Sequence, residues 1–172
     1  MRDGNVVRPG YYTPYLQPRR GTLVGDAVYF TIRVDNTIIK YDWGQDCLSM
    51  IQLPTPDPYY FALMAMEDGS LGFACIEGSS LYLWSRKVNS EGAAEWVQCG
   101  VIKLETIIPG ADSVGAVVVG FAEGVAVIFI STGVGLFTLE LKSGRVRKVD
   151  EPEVYFSVLP YMSFYTPGTI LY

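Results

Sequence analysis

Apolar residues along this chain come in short runs, many of them β-branched or aromatic, and no stretch of a dozen residues keeps an apolar position at every third or fourth place. That pattern predicts strands and no long helix. The expected strands are Ala27–Arg33, Thr37–Trp43, Cys47–Leu53, Tyr60–Met66, Ser70–Ile76, Ser80–Lys87, Glu95–Leu104, Ala116–Phe121, Val125–Ser131, Gly135–Leu141, Arg145–Val149 and Val154–Leu159. Between them stand Gly, Asp, Asn, Ser and Pro, which supply positive φ or preset a turn. Residues 1–22, rich in Pro and Tyr, alternate little and read as an irregular lead-in that packs a strand at most at its end. The rest, 23–172, reads as one domain.

The strands repeat in a fixed order. AVYFTI, TIIKYDW and CLSMIQLP form one unit; SLGFACI, SLYLWSRK and EWVQCGVIKL a second; VAVIFIS, GLFTLEL and RVRKV a third. The starts Asp26, Ser70 and Val125 lie 44 and 55 residues apart, and Thr37, Ser80 and Gly135 lie 43 and 55 apart. A further apolar strand, YFALMAM or AVVVGF, precedes the second and third units. Four-stranded repeats of this length are the signature of a β-propeller, in which each blade has an apolar inner strand and a polar outer one. The expected fold is therefore all-β, a partial propeller of about three four-stranded antiparallel blades. A two-sheet sandwich is the competing arrangement, and the repetition argues against it. Three blades leave strand edges and sheet faces uncovered, so the chain alone is expected to be marginal, open in shape or prone to self-association.

Composition narrows the chemistry. The chain is 49% hydrophobic and 18% charged, too apolar for disorder, and it contains no histidine. Ser-His-Asp and Cys-His mechanisms and histidine metal sites are thereby excluded. The net charge of −5 disfavours nucleic acid. Cys47, Cys75 and Cys99 are odd in number and widely spaced, as free thiols in a reducing compartment would be. With no apolar signal segment in Met1–Leu16, the expected address is cytoplasmic or nuclear. The apolar run Val114–Ile130 approaches membrane-spanning length, yet Ala122-Glu123-Gly124 splits it into two β-branched halves, which reads as two buried strands and no membrane partner.

The blade wording itself is similar to a known family. VYFTI, a strand running into Tyr41-Asp42, and Ile51-Gln52-Leu53-Pro54 resemble a blade of the plant F-box-associated β-propeller domains, kelch-like in type and closest to the cereal sets. Glu67-Asp68-Gly69-Ser70-Leu71-Gly72, Leu83-Trp84 and Glu95-Trp96-Val97 resemble the next blade. The resemblance covers about Leu23–Leu104, and more loosely the chain to Tyr165. It implies a protein-interaction module, the substrate-recognition half of a ubiquitin-ligase component, which is not an enzyme and needs no cofactor. A Skp-type adaptor would bind only through an F-box, whose helix pattern is not in these residues. The alternative is a small-ligand or sugar-binding all-β domain.

No catalytic dyad, nucleophile elbow or metal spacing emerges from the sequence, so no catalytic or metal residue is assigned. Asp42, Glu67, Asp68 and Glu77 read as turn-forming or solvated carboxylates, and Gly133-Val134-Gly135 as a hairpin turn. Trp43, Trp84 and Trp96 are expected between blades. Arg145, Arg147, Lys142 and Lys148 read as a charged outer edge that blocks strand pairing. In a four-stranded blade, the loops entering the inner strand and those joining the second strand to the third emerge on one face. That face would carry Asp35-Asn36, Asp57-Pro58-Tyr59, Glu77-Gly78-Ser79, Pro109–Asp112 and Thr132-Gly133. Asp35, Asn36, Asp57, Tyr59, Glu77 and Ser79 are accordingly the expected protein-contacting residues, with Tyr59 an amphipathic anchor beside acidic neighbours.

Overall fold

A computed structural model describes residues 15–16, 21–33, 37–55, 61–110 and 115–160. Along them run β1 (Tyr15–Leu16), β2 (Thr22–Val24), β3 (Ala27–Arg33), β4 (Thr37–Asp42), β5 (Cys47–Gln52), β6 (Phe61–Ala65), β7 (Leu71–Glu77), β8 (Ser80–Val88) and β9 (Ala94–Lys103). A single helical turn, α1 (Leu104–Ile107), precedes β10 (Val117–Ala122), β11 (Val127–Thr132), β12 (Gly135–Glu140) and β13 (Val146–Asp150). Consecutive strands pair antiparallel into three sheets: β3-β4-β5 with β1 and β2 on its inner edge, then β6-β7-β8-β9, then β10-β11-β12-β13. The inner strands β2, β6 and β10 touch in succession, so the sheets stand side by side as blades of a partial propeller.

The gradient from inner to outer strand follows composition. All but the last residue of β6 is buried, whereas β9 and β13 contain no buried residue. The second blade is apolar on both faces because the period-two alternation of a strand places residues on opposite sides, and a neighbouring blade covers each side. Two cores result. Ala27, Tyr29, Ile38, Ile51 and Leu53 of the first blade meet Phe61, Leu63, Leu71, Phe73 and Cys75 of the second. On the second blade's other face, Ala62, Met64, Ala74 and Leu81 meet Val118, Ile128, Ile130, Phe137 and Leu139 of the third.

Phe73, fully buried, centres the first of these cores. Trp84 stacks on it at 6.1 Å, while Trp96 at 5.0 Å and Phe61 at 5.8 Å meet it edge to face. The Trp96 indole N–H donates to the Gln52 carbonyl of the first blade at 2.8 Å, so the ring both packs and pins the two blades. The expectation of tryptophans between blades therefore holds for Trp84 and Trp96. Trp43 departs from it, being 46% exposed at the end of β4. The turn there is already closed by Asp42, whose carboxylate accepts the Gln45 amide at 3.1 Å, and no neighbouring blade reaches it.

Strand ends differ from expectation by a residue or two, with three larger departures. The first blade has an inner strand after all, in two pieces: β2 pairs Thr22 with Tyr29, and β1 pairs Leu16 with Ile32. Second, Leu104 does not finish β9. Its amide donates to the Ser79 carbonyl at 2.9 Å and its side chain, 1% exposed, drops with Ile108 into the core as α1 begins. Third, Val154–Leu159 forms no strand and bends at Phe156. It lies across β10, the Val158 amide donating to the Val119 carbonyl at 2.7 Å. A Cβ at Gly120 would stand 2.6 Å from the Val158 carbonyl oxygen, so the glycine permits this crossing. The apolar run from 114 to 130 is the β10–β11 hairpin with its turn at Glu123–Ala126, and no helix among the described residues is long and apolar enough to cross a membrane.

Two outcomes test this packing. Phe73→Ala should destabilise the chain by about 3–5 kcal/mol, as removal of a fully buried ring does, read by urea denaturation. Burial pushes the Cys75 thiol up to about 12 and also raises Cys99, whose thiol donates to the Leu83 carbonyl. Thiol-specific reagent at pH 8 should then label exposed Cys47 first, Cys99 more slowly, and Cys75 only after unfolding.

Candidate functional site

Strand reversal sorts the loops to two ends of the blades. At one end lie the turns joining second to third strands and the connections between blades. The β7–β8 turn is a two-residue reversal in which Glu77 pairs with Ser80 and Gly78 takes φ +58°, a left-handed conformation that suits glycine. Glu77 is exposed there, and Ser79 is half-buried with its carbonyl held by the Leu104 amide. The Thr106 hydroxyl donates to the Lys103 carbonyl at 2.6 Å and the Ile108 amide to the Leu104 carbonyl at 2.8 Å, tightening the exit from the blade. Pro109 and Gly110 then run beside the β11–β12 turn, where a Cβ on Gly110 would be 3.8 Å from Val134. That second turn is fixed by Thr132, whose hydroxyl donates to the Gly135 carbonyl at 3.0 Å and accepts the Val134 amide at 3.2 Å.

Glu77, Ser79, Pro109 and Thr132-Gly133 therefore share one end, as their spacing predicts. Asp35, Asn36, Asp57, Tyr59 and the 111–112 part of the same set lie outside the described residues. Lys103 and Glu105 join this end from the β9–α1 junction, both exposed. Lys103 escaped the sequence reading because it was assigned to a continuous strand, Glu95–Leu104, and Glu105 because no helical turn was expected after it.

A second feature was not anticipated. Where the three inner strands converge, a cleft of about 440 Å³, counting the solvent at its mouth, runs between Thr22 and Thr31 of the first blade, Phe61–Leu63 of the second, Val119–Phe121 and Glu123 of the third, and the segment Ser157–Pro160. Thr22 and Thr31 are buried and make the first-blade wall polar, and Glu123 and Ser157 add polar groups among the apolar residues of the rest. The sequence signal was a carboxylate inside an apolar run, read only as a turn. Which residues would line the axis depends on how the blades pack, and strand periodicity does not encode it.

The opposite end holds the carboxylates. Asp68 accepts the Lys87 ammonium, the Ser70 hydroxyl at 2.6 Å and the Ser70 amide at 3.0 Å, and Ser70 in turn meets the buried Ser85 hydroxyl at 2.8 Å. Lys87, with Ser70 behind it, holds the Asp68 carboxyl well below the usual carboxylate range. Lys40, helped by the Gln45 amide, lowers the Asp42 carboxyl from its ordinary value. Glu67 pairs with Lys142 at 2.6 Å, joining the second blade to the third. These are turn and rim interactions, as the residues predict. Among the described residues no group of three or more potential metal ligands comes together. Arg145 and Arg147 stand exposed at and beside β13, on the outer edge.

No family model matches the chain, and no curated protein matches it. A solved structure does: a catalytically inactive virginiamycin B lyase from Staphylococcus aureus with quinupristin, at 14% identity and a TM-score of 0.42. The alignment covers 78% of this chain and 56% of that one, so this chain spans little more than half of the lyase's length. The expectation that the chain is not an enzyme is corrected here. The matching protein is an enzyme, and a blade frame supports catalysis or recognition alike because chemistry resides in grafted side chains, not in the scaffold.

The Asp68 ion pair predicts an acid-sensitive turn. A carboxyl held low in the folded state contributes stability that is complete above its unfolded value, about 4, and is lost as pH falls through the folded value. Wild-type thermal stability should therefore decline on acidification below about pH 4 more steeply than that of Asp68→Asn, which lacks the contribution at every pH. Parallel melting curves across that range decide it.

Proposed function

We propose that this chain is a protein-recognition module whose partner docks on the end carrying the β7–β8 and β11–β12 turns. The reading draws its main support from the bond between the Leu104 amide and the Ser79 carbonyl, which ties the blade's exit to its own middle turn. Turns held this way lose little conformational entropy on binding, so contact energy goes into affinity. Glu77 and Glu105 outnumber Lys103 on the described part of the face, and Asp57 beside Tyr59 in the sequence adds to the acidic balance. A basic or hydrogen-donating segment of a partner protein is the matching chemistry. In a ubiquitin ligase of the F-box type this module would receive the protein to be modified, and the Skp-type adaptor would be held by an F-box elsewhere.

The test is comparative capture from extract with tagged protein. Proteins retained by the wild type should be lost with Asp57→Ala, Tyr59→Ala and Glu77→Ala combined, and retained by Arg145→Ala with Arg147→Ala. The reverse outcome would move the contact to the outer edge strand.

A further inference from the structure

Between β6 and β7 the chain reverses through Glu67-Asp68-Gly69. The loop closes on two backbone bonds: the Met66 amide donates to the Ser70 carbonyl at 2.9 Å, and the Gly69 amide donates to the Met66 carbonyl at 2.9 Å. Gly69 takes φ +76°, a left-handed conformation that suits glycine at the last position of such a loop. The same glycine creates a chemical hazard. In an Asp-Gly pair the backbone nitrogen after the aspartate has no Cβ crowding it, so it can approach the side-chain carboxyl, the geometry from which aspartate cyclises.

In the folded chain several contacts oppose that approach. Asp68 Oδ1 accepts the Ser70 amide at 3.0 Å and the Ser70 hydroxyl at 2.6 Å, while Oδ2 holds the Lys87 ammonium, so both carboxyl oxygens are drawn toward Ser70 and β8. Ser70 is fixed from behind by the hydroxyl of Ser85, which is 2.8 Å away and buried. The nitrogen that would attack is engaged too, through its N–H, with the Met66 carbonyl. Lys87 and Ser70 also keep the carboxyl ionised, and an ionised carboxylate repels a nucleophile and cannot shed an oxygen as water. Of these restraints the ion pair is the most easily opened, because Lys87 and Asp68 are both about half exposed and a pair in water is weakly held.

We propose that Asp68 is a latent isomerisation site, silenced in the folded chain by its pairing with Lys87 and by the Ser70 bonds. When the pair opens, the Gly69 nitrogen gives up its proton and bonds to Asp68 Cγ; Cγ loses a hydroxyl, and proton and hydroxyl leave as water. Water then adds back to the five-membered imide. Opening at the backbone carbonyl gives isoaspartate, with the main chain running through Cβ and Cγ and the carboxylate on the α-carbon. The loop is then one main-chain carbon longer, which displaces the Met66–Ser70 bond and takes the carboxylate away from Lys87.

Ageing the full chain at neutral pH tests this. A protease that cuts before aspartate leaves isoaspartate uncut, and mass spectrometry gives the uncut fraction at residue 68. That fraction should grow slowly in the folded wild type and much faster in urea. The protonated fraction of a carboxyl rises about tenfold for each pH unit that it is released toward its ordinary range, so Lys87→Met should accelerate isomerisation about tenfold or more with unchanged circular dichroism. Ser70→Ala should act in the same direction. Lys87→Arg, which keeps a cation there, should restore the wild-type rate, and Lys142→Met, which removes the Glu67 pair in the same loop, should leave it unchanged. Equal rates in wild type, Lys87→Met and Ser70→Ala overturn the proposal, as does a folded wild type that isomerises as fast as the unfolded chain.

Discussion

A four-stranded blade with two apolar faces cannot stand alone. One face of an isolated sheet can be turned to water when it is polar, but here residues on both sides of β6 and β7 are buried. Phe61, Leu63 and Phe73 point to the first blade while Ala62, Met64 and Ala74 point to the third. Side-by-side stacking of sheets is the arrangement that satisfies both, and it fixes nearly everything else: which strand is innermost, where the turns gather, and which edges meet water.

The two interfaces solve this in different ways. Between the first and second blades, rings do the filling, with Phe73 enclosed by Phe61, Trp84 and Trp96 and the Trp96 N–H reaching across to Gln52. Between the second and third, aliphatic side chains interlock and α1 closes the gap by dropping Leu104 and Ile108 into it. The helical turn is thus a consequence of packing. A strand continued through Leu104 would have carried that side chain out with the rest of β9, which is exposed or half-buried along its length.

On such a frame the turns gather at the blade ends. Strand reversal brings the β7–β8 turn, the β9–β10 connection and the β11–β12 turn together, and short hydrogen bonds from Leu104 and Thr132 hold them. The other end is occupied by ion pairs that serve the turns themselves, such as Asp68 with Lys87 and Glu67 with Lys142. Their exposure makes each of small energetic value, so they set turn geometry more than stability.

Strand identity, blade order and the polar outer edge could be read from residues alone, because period-two alternation, turn chemistry and a repeat of 43 to 55 residues are local properties of the chain. The same reading set Glu77 and Ser79 at one end, since that follows from strand reversal. Tertiary packing decided the rest. β1 and β2 exist because β3 offers an unpaired edge, and neither carries enough alternation to announce itself. Val154–Leu159 looks like a strand by composition but is held across β10 by a single backbone bond at Val119, without the ladder that a strand requires. Trp43 shares its chemistry with Trp84 and Trp96 and yet stays in water, because burial depends on whether a second blade arrives at that position. The axial cleft, finally, belongs to no single segment: Thr22, Phe61 and Glu123 meet only when three inner strands converge, and that distance is set by how blades pack, which strand periodicity does not carry.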